Sequence, residues 1–200
     1  YDSIREDVEP WSAQGCRVLL IAQYHGTPEQ GKPLDPEQVR PMALALLSNR
    51  IRATAPETFR FFAQEGVSIR VISGDNPVTV SEVARRAGIA GAERYIDAST
   101  LKTEGDFARA ARECTVFGRV TPDNKKKLIR AMKKEGHTVA MTGDGVNDVL
   151  ALREADCGIA MASGSQAASQ VAQLVLLQSD FAAMRGVVGE GRRVINYIQR

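Results

Sequence analysis

The sequence predicts an α/β fold in which a parallel sheet carries helices on both faces. Three observations lead there. From about Met42 almost to the end, short apolar runs alternate with amphipathic stretches of helical length, the pattern of strand-helix-strand units. Three of the strand-like runs lead into polar Gly/Asp/Asn loops, the place where parallel sheets collect ligands. At 200 residues, 44% hydrophobic and 25% charged, the chain is long enough and apolar enough to build a core.

In chain order, Tyr1 to about Ala22 reads as helix, turn and strand. A charged amphipathic stretch gives way, after Gly15, to the β-rich run Cys16 to Ala22. Three of the eight prolines and two glycines lie between His25 and Pro36, which breaks periodic structure and marks a loop between two subdomains. Met42 to Leu47 is an apolar run of buried type. Helix-then-strand units follow: Pro56 to Gln64 with Val67 to Ile72, Val78 to Ala87 with a weak strand at Tyr95-Ile96, and Phe107 to Glu113 with Thr115 to Phe117. The next are Asp123 to Lys134 with Thr138 to Met141, and Asp148 to Glu154 with Gly158 to Met161. A strand at Val171 to Leu177 and a helix from about Phe181 close the chain. Phe181, Met184, Val187, Val188, Val194, Ile195 and Ile198 fall near helical spacing there and read as a core-facing stripe.

Composition excludes several classes. The 26 basic residues nearly cancel the 24 acidic ones, so no global field argues for nucleic acid as a partner. Cys16, Cys114 and Cys157 are odd in number and widely spaced with no C-x-x-C pair. They indicate neither a disulfide framework nor a zinc site, fit a reducing compartment, and read as small buried hydrophobes. His25 and His137 have no Cys or His at ligand spacing. The longest apolar run, Met42 to Leu47, is far shorter than the about 20 residues a membrane helix needs. The first residue is Tyr rather than Met, and the sequence is expected to be a piece of a longer chain.

The three polar loops carry the chemistry. Asp144 and Asp148 lie four apart, and Gly143 and Gly145 permit a tight loop, so both carboxylates can address one hard cation such as Mg²⁺. A helix-capping turn would need only one residue of Gly-Asp-Gly-Val-Asn-Asp. In Ser73-Gly74-Asp75-Asn76, Ser73 offers a hydroxyl donor and Gly74 lets backbone approach a ligand, as a phosphoryl oxygen requires. In Thr121-Pro122-Asp123-Asn124-Lys125, the lysine stands at a helix start, where it opposes the helix dipole and needs another reason to be there; an anionic ligand would supply it. Lys126, Lys127, Lys133 and Lys134 read as a solvated helix face. A hydroxyl, a cation and a magnesium pair together suit phosphoryl transfer. No strand-terminal Asp-x-x-Gly-Thr nucleophile occurs in the chain.

In order and spacing, these loops resemble the phosphorylation domain of P-type cation-transporting ATPases, a branch of the haloacid dehalogenase-like superfamily, from roughly Met42 to the end. Ala151-Leu152, Glu154-Ala155-Asp156, Gly158-Ile159-Ala160-Met161 and Glu190-Gly191-Arg192-Arg193 add to the resemblance. It implies a Rossmann-like sheet lacking the nucleophile strand. It also implies an ATP-driven cation pump working through an aspartyl phosphate, with the phosphorylated Asp outside this chain and the isolated fragment inactive. It assigns Ser73 to the phosphoryl group with Gly74, Asp75 and Asn76 completing that loop, Lys125 to charge stabilisation, Asp144 to Mg²⁺, and Asn147 and Asp148 to the surrounding site. Gly15 to Leu19 looks like the end of a nucleotide-binding domain, which makes Arg17 a candidate for the ATP phosphates; Arg52 matches the Arg of a family Asp-x-x-Arg in which Asn49 replaces the carboxylate.

The resemblance divides the chain into residues 1–40 (end of the nucleotide-binding domain and linker), 41–185 (phosphorylation domain) and 186–200 (start of a stalk helix). The implied partners are ATP, the transmembrane and actuator domains of the same longer chain, and a transported cation. Mg²⁺ and ATP are the implied cofactors, and the segment would sit on the cytoplasmic side of a cell membrane. Val149-Leu150 and Ala162-Ser163-Gly164-Ser165 depart from the commoner pattern and resemble a bacterial subgroup with members linked to Ca²⁺. The competing expectations are a soluble phosphatase of the same superfamily and a non-catalytic regulatory module.

Overall fold

In the computed structural model, residues 2–28, 30–48 and 50–199 are described; Asn49 lies outside them. The chain forms two compact units, Tyr1–Arg50 and Ile51–Arg200. The first contains helix α1 (Asp2–Ala13) and the strands β1 (Arg17–Tyr24) and β2 (Val39–Leu47). These strands pair antiparallel from Arg17 opposite Leu47 to Tyr24 opposite Val39, with an irregularity at Ile21/Ala22. The expected boundary after residue 40 therefore falls inside a strand, and the division comes ten residues later because β2 is committed to β1. The apolar run Met42 to Leu47 is not buried as expected. Leu44 and Ala45 are half-buried, whereas Met42 is 67% exposed and Leu20 and Ile21 opposite this stretch are 46% and 51% exposed, since a two-stranded ribbon with one helix, among the described residues, is too small to bury both its faces.

The second unit alternates strand and helix: α2 (Ala55–Gln64), β3 (Val71–Ile72), α3 (Pro77–Arg86), β4 (Tyr95–Asp97), α4 (Glu104–Glu113), β5 (Val116–Gly118) and α5 (Pro122–Lys134). It continues with β6 (Ala140–Gly143), α6 (Val149–Glu154), β7 (Cys157–Met161), α7 (Gln166–Val171), β8 (Leu174–Leu176) and α8 (Met184–Ile198). The helices start where local chemistry demands it. Asn76 caps α3, Thr121 caps α5 and Ser165 caps α7, each accepting a hydrogen bond from a first-turn amide, while Pro77 and Pro122 sit where a missing N–H costs nothing. Thr103 and Asp106 form a reciprocal capping box on α4.

All strand pairs here are parallel, but the expected single sheet is in two parts, ordered β3-β5-β4 and β6-β7-β8. Among the described residues, β3 and β6 each have a partner on one side only. Both sheets are covered on both faces, as successive residues of the middle strands show. Val116 packs with Val80 and Ala84 of α3, whereas its neighbour Phe117 joins the large cluster built on Leu128, Ile129 and Leu152 of α5 and α6. Likewise Ile159 packs with Phe62 of α2 and Met184 of α8, whereas Ala160 faces the α5–α6 cluster. This is the period-two alternation of a strand with core on either side.

Three local expectations change. The strand expected from Val67 begins only at Val71, where the Thr115 carbonyl first offers a hydrogen bond. The strand expected from Val171 is preceded by a helix, α7, which holds Val171. The α8 stripe faces the core only at its start: Met184 is buried and Val188 half-buried, whereas Val187, Val194 and Ile195 are exposed and Ile198 is 78% exposed. All three cysteines are half-buried rather than buried.

One exposed carboxylate clasps the second sheet. Asp156 accepts the Val139 amide (2.8 Å), pairs with Lys133 (3.0 Å) and donates its own amide to the Val139 carbonyl (2.9 Å). The Val139 hydrogen bond and then Lys133 hold its carboxyl below the ordinary carboxylate range. A native value below the unfolded one means that the stabilisation is complete above the ordinary range and is lost as pH falls through the depressed value. Asp156→Asn is therefore expected to lower Tm at neutral pH, and the gap from the parent chain to close as thermal melts are taken down to about pH 2.

Candidate active site

The site forms where β3, β5 and β6 end. The Ser73 amide donates to the Phe117 carbonyl (2.9 Å), which continues the ladder between β3 and β5 past the strand ends. The next loop then closes on the first: Val120 donates to the Ser73 carbonyl (3.0 Å) and Arg119 to the Asp75 carbonyl (2.8 Å). Arg119 takes a left-handed conformation to do so (φ 50°), and its side chain is neutralised by Asp97 (2.7 Å). Burial works to raise the Asp97 carboxyl, but hydrogen bonds from Ser99 and the Arg119 charge outweigh it and hold the group below its usual range. The Ser73 hydroxyl accepts the Asp75 amide (3.1 Å), which leaves its proton available to donate. Gly74 is exposed beside it, and the Asn76 side-chain oxygen is engaged by Val78 (2.9 Å) at the start of α3.

Lys125 lies in the first turn of α5, and its ammonium meets Asp148 at 2.6 Å, with the two side chains only 12% and 9% exposed. The sequence reading left the counter-charge of this lysine to an anionic ligand; within the fold it is Asp148. That aspartate is occupied on its other oxygen too, which accepts the amides of Gly145 (3.1 Å) and Asp144 (3.3 Å). Asp148 is thus the post around which the Asp144 loop winds. Gly143 is required at the foot of this loop, since a Cβ there would lie 2.5 Å from the Asp148 Cβ.

The Asp144 carboxylate is exposed and, among the described residues, engaged by no hydrogen bond or ion pair, which leaves it open to a cation. Its carbonyl accepts the Ser165 amide (2.6 Å), and Gly164 lies so close that a Cβ would meet the Asp144 backbone. Gly164 and Ser165, which the sequence reading noted only as part of a departure from the commoner family pattern, support this loop, and Ser-Gly-Ser before a helix is the signal of the cap they form. Among the described residues no three His, Cys, Asp or Glu side chains gather into a metal site. One free carboxylate beside a fully engaged one fits Mg²⁺, which keeps waters and takes few protein ligands.

Asn147 sits exposed on the 3₁₀ turn before α6. The structure brings Ser73, Gly74, Asp75, Lys125, Asp144, Asn147 and Asp148 into one hydrogen-bonded system of loops. Arg52 pairs with Asp180 (3.3 Å) and donates to the Ser179 carbonyl (3.4 Å) before α8, and the Ser179 hydroxyl accepts the Ser163 amide (2.8 Å) beside the Gly164 turn. Arg17 belongs to the first unit, exposed at the start of β1.

Comparison with known proteins fits this geometry. A family model described as haloacid dehalogenase-like hydrolase matches residues 4–156. The chain is 48% identical over 198 residues to the calcium-transporting ATPase CtpE of Mycolicibacterium smegmatis, covering 98% of this chain and 24% of that protein. It is 47% identical over 185 residues to the probable cation-transporting ATPase exp7 of Streptococcus pneumoniae, covering 92% and 24%. The chain thus spans about a quarter of the length of these curated relatives. Among solved structures, a zinc-transporting PIB-type ATPase in its E2.Pi state shares the fold with a TM-score of 0.66 at 20% identity, over 99% of this chain and 26% of that one. The match over residues 4–156, on a parallel α/β fold with its polar loops at the strand ends, makes the chain a member of the haloacid dehalogenase-like hydrolases.

Proposed function

We propose that this chain is the phosphoryl-transfer segment of an ATP-driven cation pump that works through an aspartyl phosphate. The observation that carries the reading is the placement of Ser73 and Asp144 after β3 and β6, each of which, among the described residues, stands at an edge of its three-stranded sheet with one side unpaired. A further parallel strand pairing with both would join the sheets and deliver its terminal residue between the Ser73 hydroxyl, the Lys125 ammonium and the Asp144 carboxylate. An aspartate there would be the nucleophile. Its carboxylate attacks the γ-phosphorus of ATP, the bond to ADP breaks, and water later attacks the acyl phosphate to release phosphate.

The chain's own groups serve that reaction by position. Ser73 donates to a phosphoryl oxygen, and Lys125 offsets charge on the transferring group while Asp148 fixes its direction. Asp144 would hold Mg²⁺, which supplies electrostatic neutralisation of the phosphate oxygens when bound. Asn147 lines the loop. Arg17, in the unit read as the end of a nucleotide-binding domain, is assigned to the ATP phosphates, and Arg52 and Asn76 to the margins of the nucleotide site. The described residues contain no helix long and apolar enough to cross a membrane. In this reading the transport path belongs to membrane helices of a longer chain, with this segment on the cytoplasmic side. Relatives named for calcium transport make Ca²⁺ the first cargo to test.

In the longer protein, radiolabelled ATP and Mg²⁺ are expected to give an acid-stable, hydroxylamine-labile phosphoprotein. Asp144→Asn and Ser73→Ala should each lower its rate of formation by about 10²-fold or more. Absence of any such phosphoprotein would falsify the aspartyl-phosphate reading.

Lys125→Met separates structure from chemistry. It strands a buried Asp148 and should cost about 3–5 kcal/mol in urea unfolding. Adding Asp148→Asn should recover most of that stability and none of the phosphorylation; recovery of both would show that Lys125 acts only as a structural counter-ion.

A further inference from the structure

At the opposite end of β3 from Ser73 lies a cleft of about 510 Å³, between α2, the end of α3 and the segment that enters β3. Its size is that of a small-molecule site. The lining combines Phe59, Ile69 and Ile89, which belong to one apolar cluster, with three arginines, Arg60, Arg70 and Arg94, and contains no carboxylate.

The arginines have few other duties. Arg70 donates to the Ile69 carbonyl (3.4 Å) and Arg94 to the Thr115 hydroxyl (3.3 Å). No carboxylate among the described residues pairs with any of the three. The adjacent helix ends do not account for them either. The last carbonyls of α2 are engaged by the amides of Glu65, Gly66 and Val67, and those of α3 by Ala87, Gly88 and Ile89. Burial, and the charge of Arg94 beside it, hold the Arg70 guanidinium below its ordinary value. Three cations gathered in a half-apolar cleft repel one another with no carboxylate among the described residues opposite them, and a doubly charged anion would reverse that balance.

We propose that this cleft binds a small phosphomonoester with a compact apolar body, at a site separate from the phosphoryl-transfer loops. The guanidinium forks suit the phosphate head, since their planar donors match two oxygens at once, and the Phe59–Ile69–Ile89 surface suits the body. Arg70 and Ser73 stand three residues apart, about 10 Å along an extended strand, so a ligand held by the arginines occupies the far end of β3.

The test is a titration of the chain with phenyl phosphate, with inorganic phosphate in a parallel arm, followed by NMR at the arginine Nε–Hε resonances. The Arg70 and Arg94 signals should shift along a saturable curve, and phenyl phosphate should half-saturate them at a concentration about tenfold below that of inorganic phosphate. Arg70→Gln should weaken binding about tenfold. Arg60→Gln, at an exposed position where folding is not at risk, should weaken it about threefold with Tm unchanged. The proposal is overturned by the absence of saturation up to about 10 mM, by equal half-saturation for the two phosphates, or by unchanged affinity in the Arg60→Gln chain.

Discussion

A lysine in the first turn of a helix and a carboxylate in a loop from another sheet hold together the polar loops at the strand ends. Lys125 belongs to α5, which follows β5 of the first sheet, while Asp148 follows β6 of the second. A cation in the first turn of a helix opposes the dipole, and a carboxylate taken from water loses hydration; each makes the other tolerable only while the 2.6 Å contact persists. From this contact the order spreads both ways. The second Asp148 oxygen gathers two amides and so shapes the loop that presents Asp144, whose carbonyl meets Ser165 at the start of α7. On the other side α5 grows out of the Arg119–Val120 segment that is bonded to the Ser73 loop. Three loops widely separated in sequence become one object.

That object needs a rigid floor, which the middle strands provide. Val116, Phe117 and Ala160 are fully buried and Ile159 nearly so, with neighbours in sequence committed to opposite faces. A slip of one residue in either strand would exchange its two cores and drag a site loop with it. The short strands thus locate the loops through packing rather than through the number of their ladder hydrogen bonds.

What the sequence made legible was whatever is decided locally. The amphipathic stretches between the apolar runs mark most helices, whereas the Ser165 cap went unread and with it α7. What depends on distant partners was not legible. The run Val67 to Ile72 looks like one strand, yet only Val71 and Ile72 find a neighbour to pair with. Met42 to Leu47 looks buried because apolar composition carries no information about whether a second layer exists. Val171 looks β-forming, but the Ser165 cap and the small Ala-Ala-Ser stretch after it favour one more helical turn before the chain enters β8. Within the site, the Asp144 loop stood out by composition, whereas the anion opposite Lys125 could be named only once the fold had brought Asp148 to it.

Gly164 shows how support can look like catalysis. It meets no reacting group in this arrangement, yet any side chain would collide with the backbone of Asp144, twenty residues earlier. The two positions therefore constrain one another as a pair. In a survey of tolerated substitutions Gly164 would score like a member of the catalytic set. A designer who transplanted the Asp144 loop into another scaffold would carry over its carboxylates and lose its shape unless the glycine turn went with it.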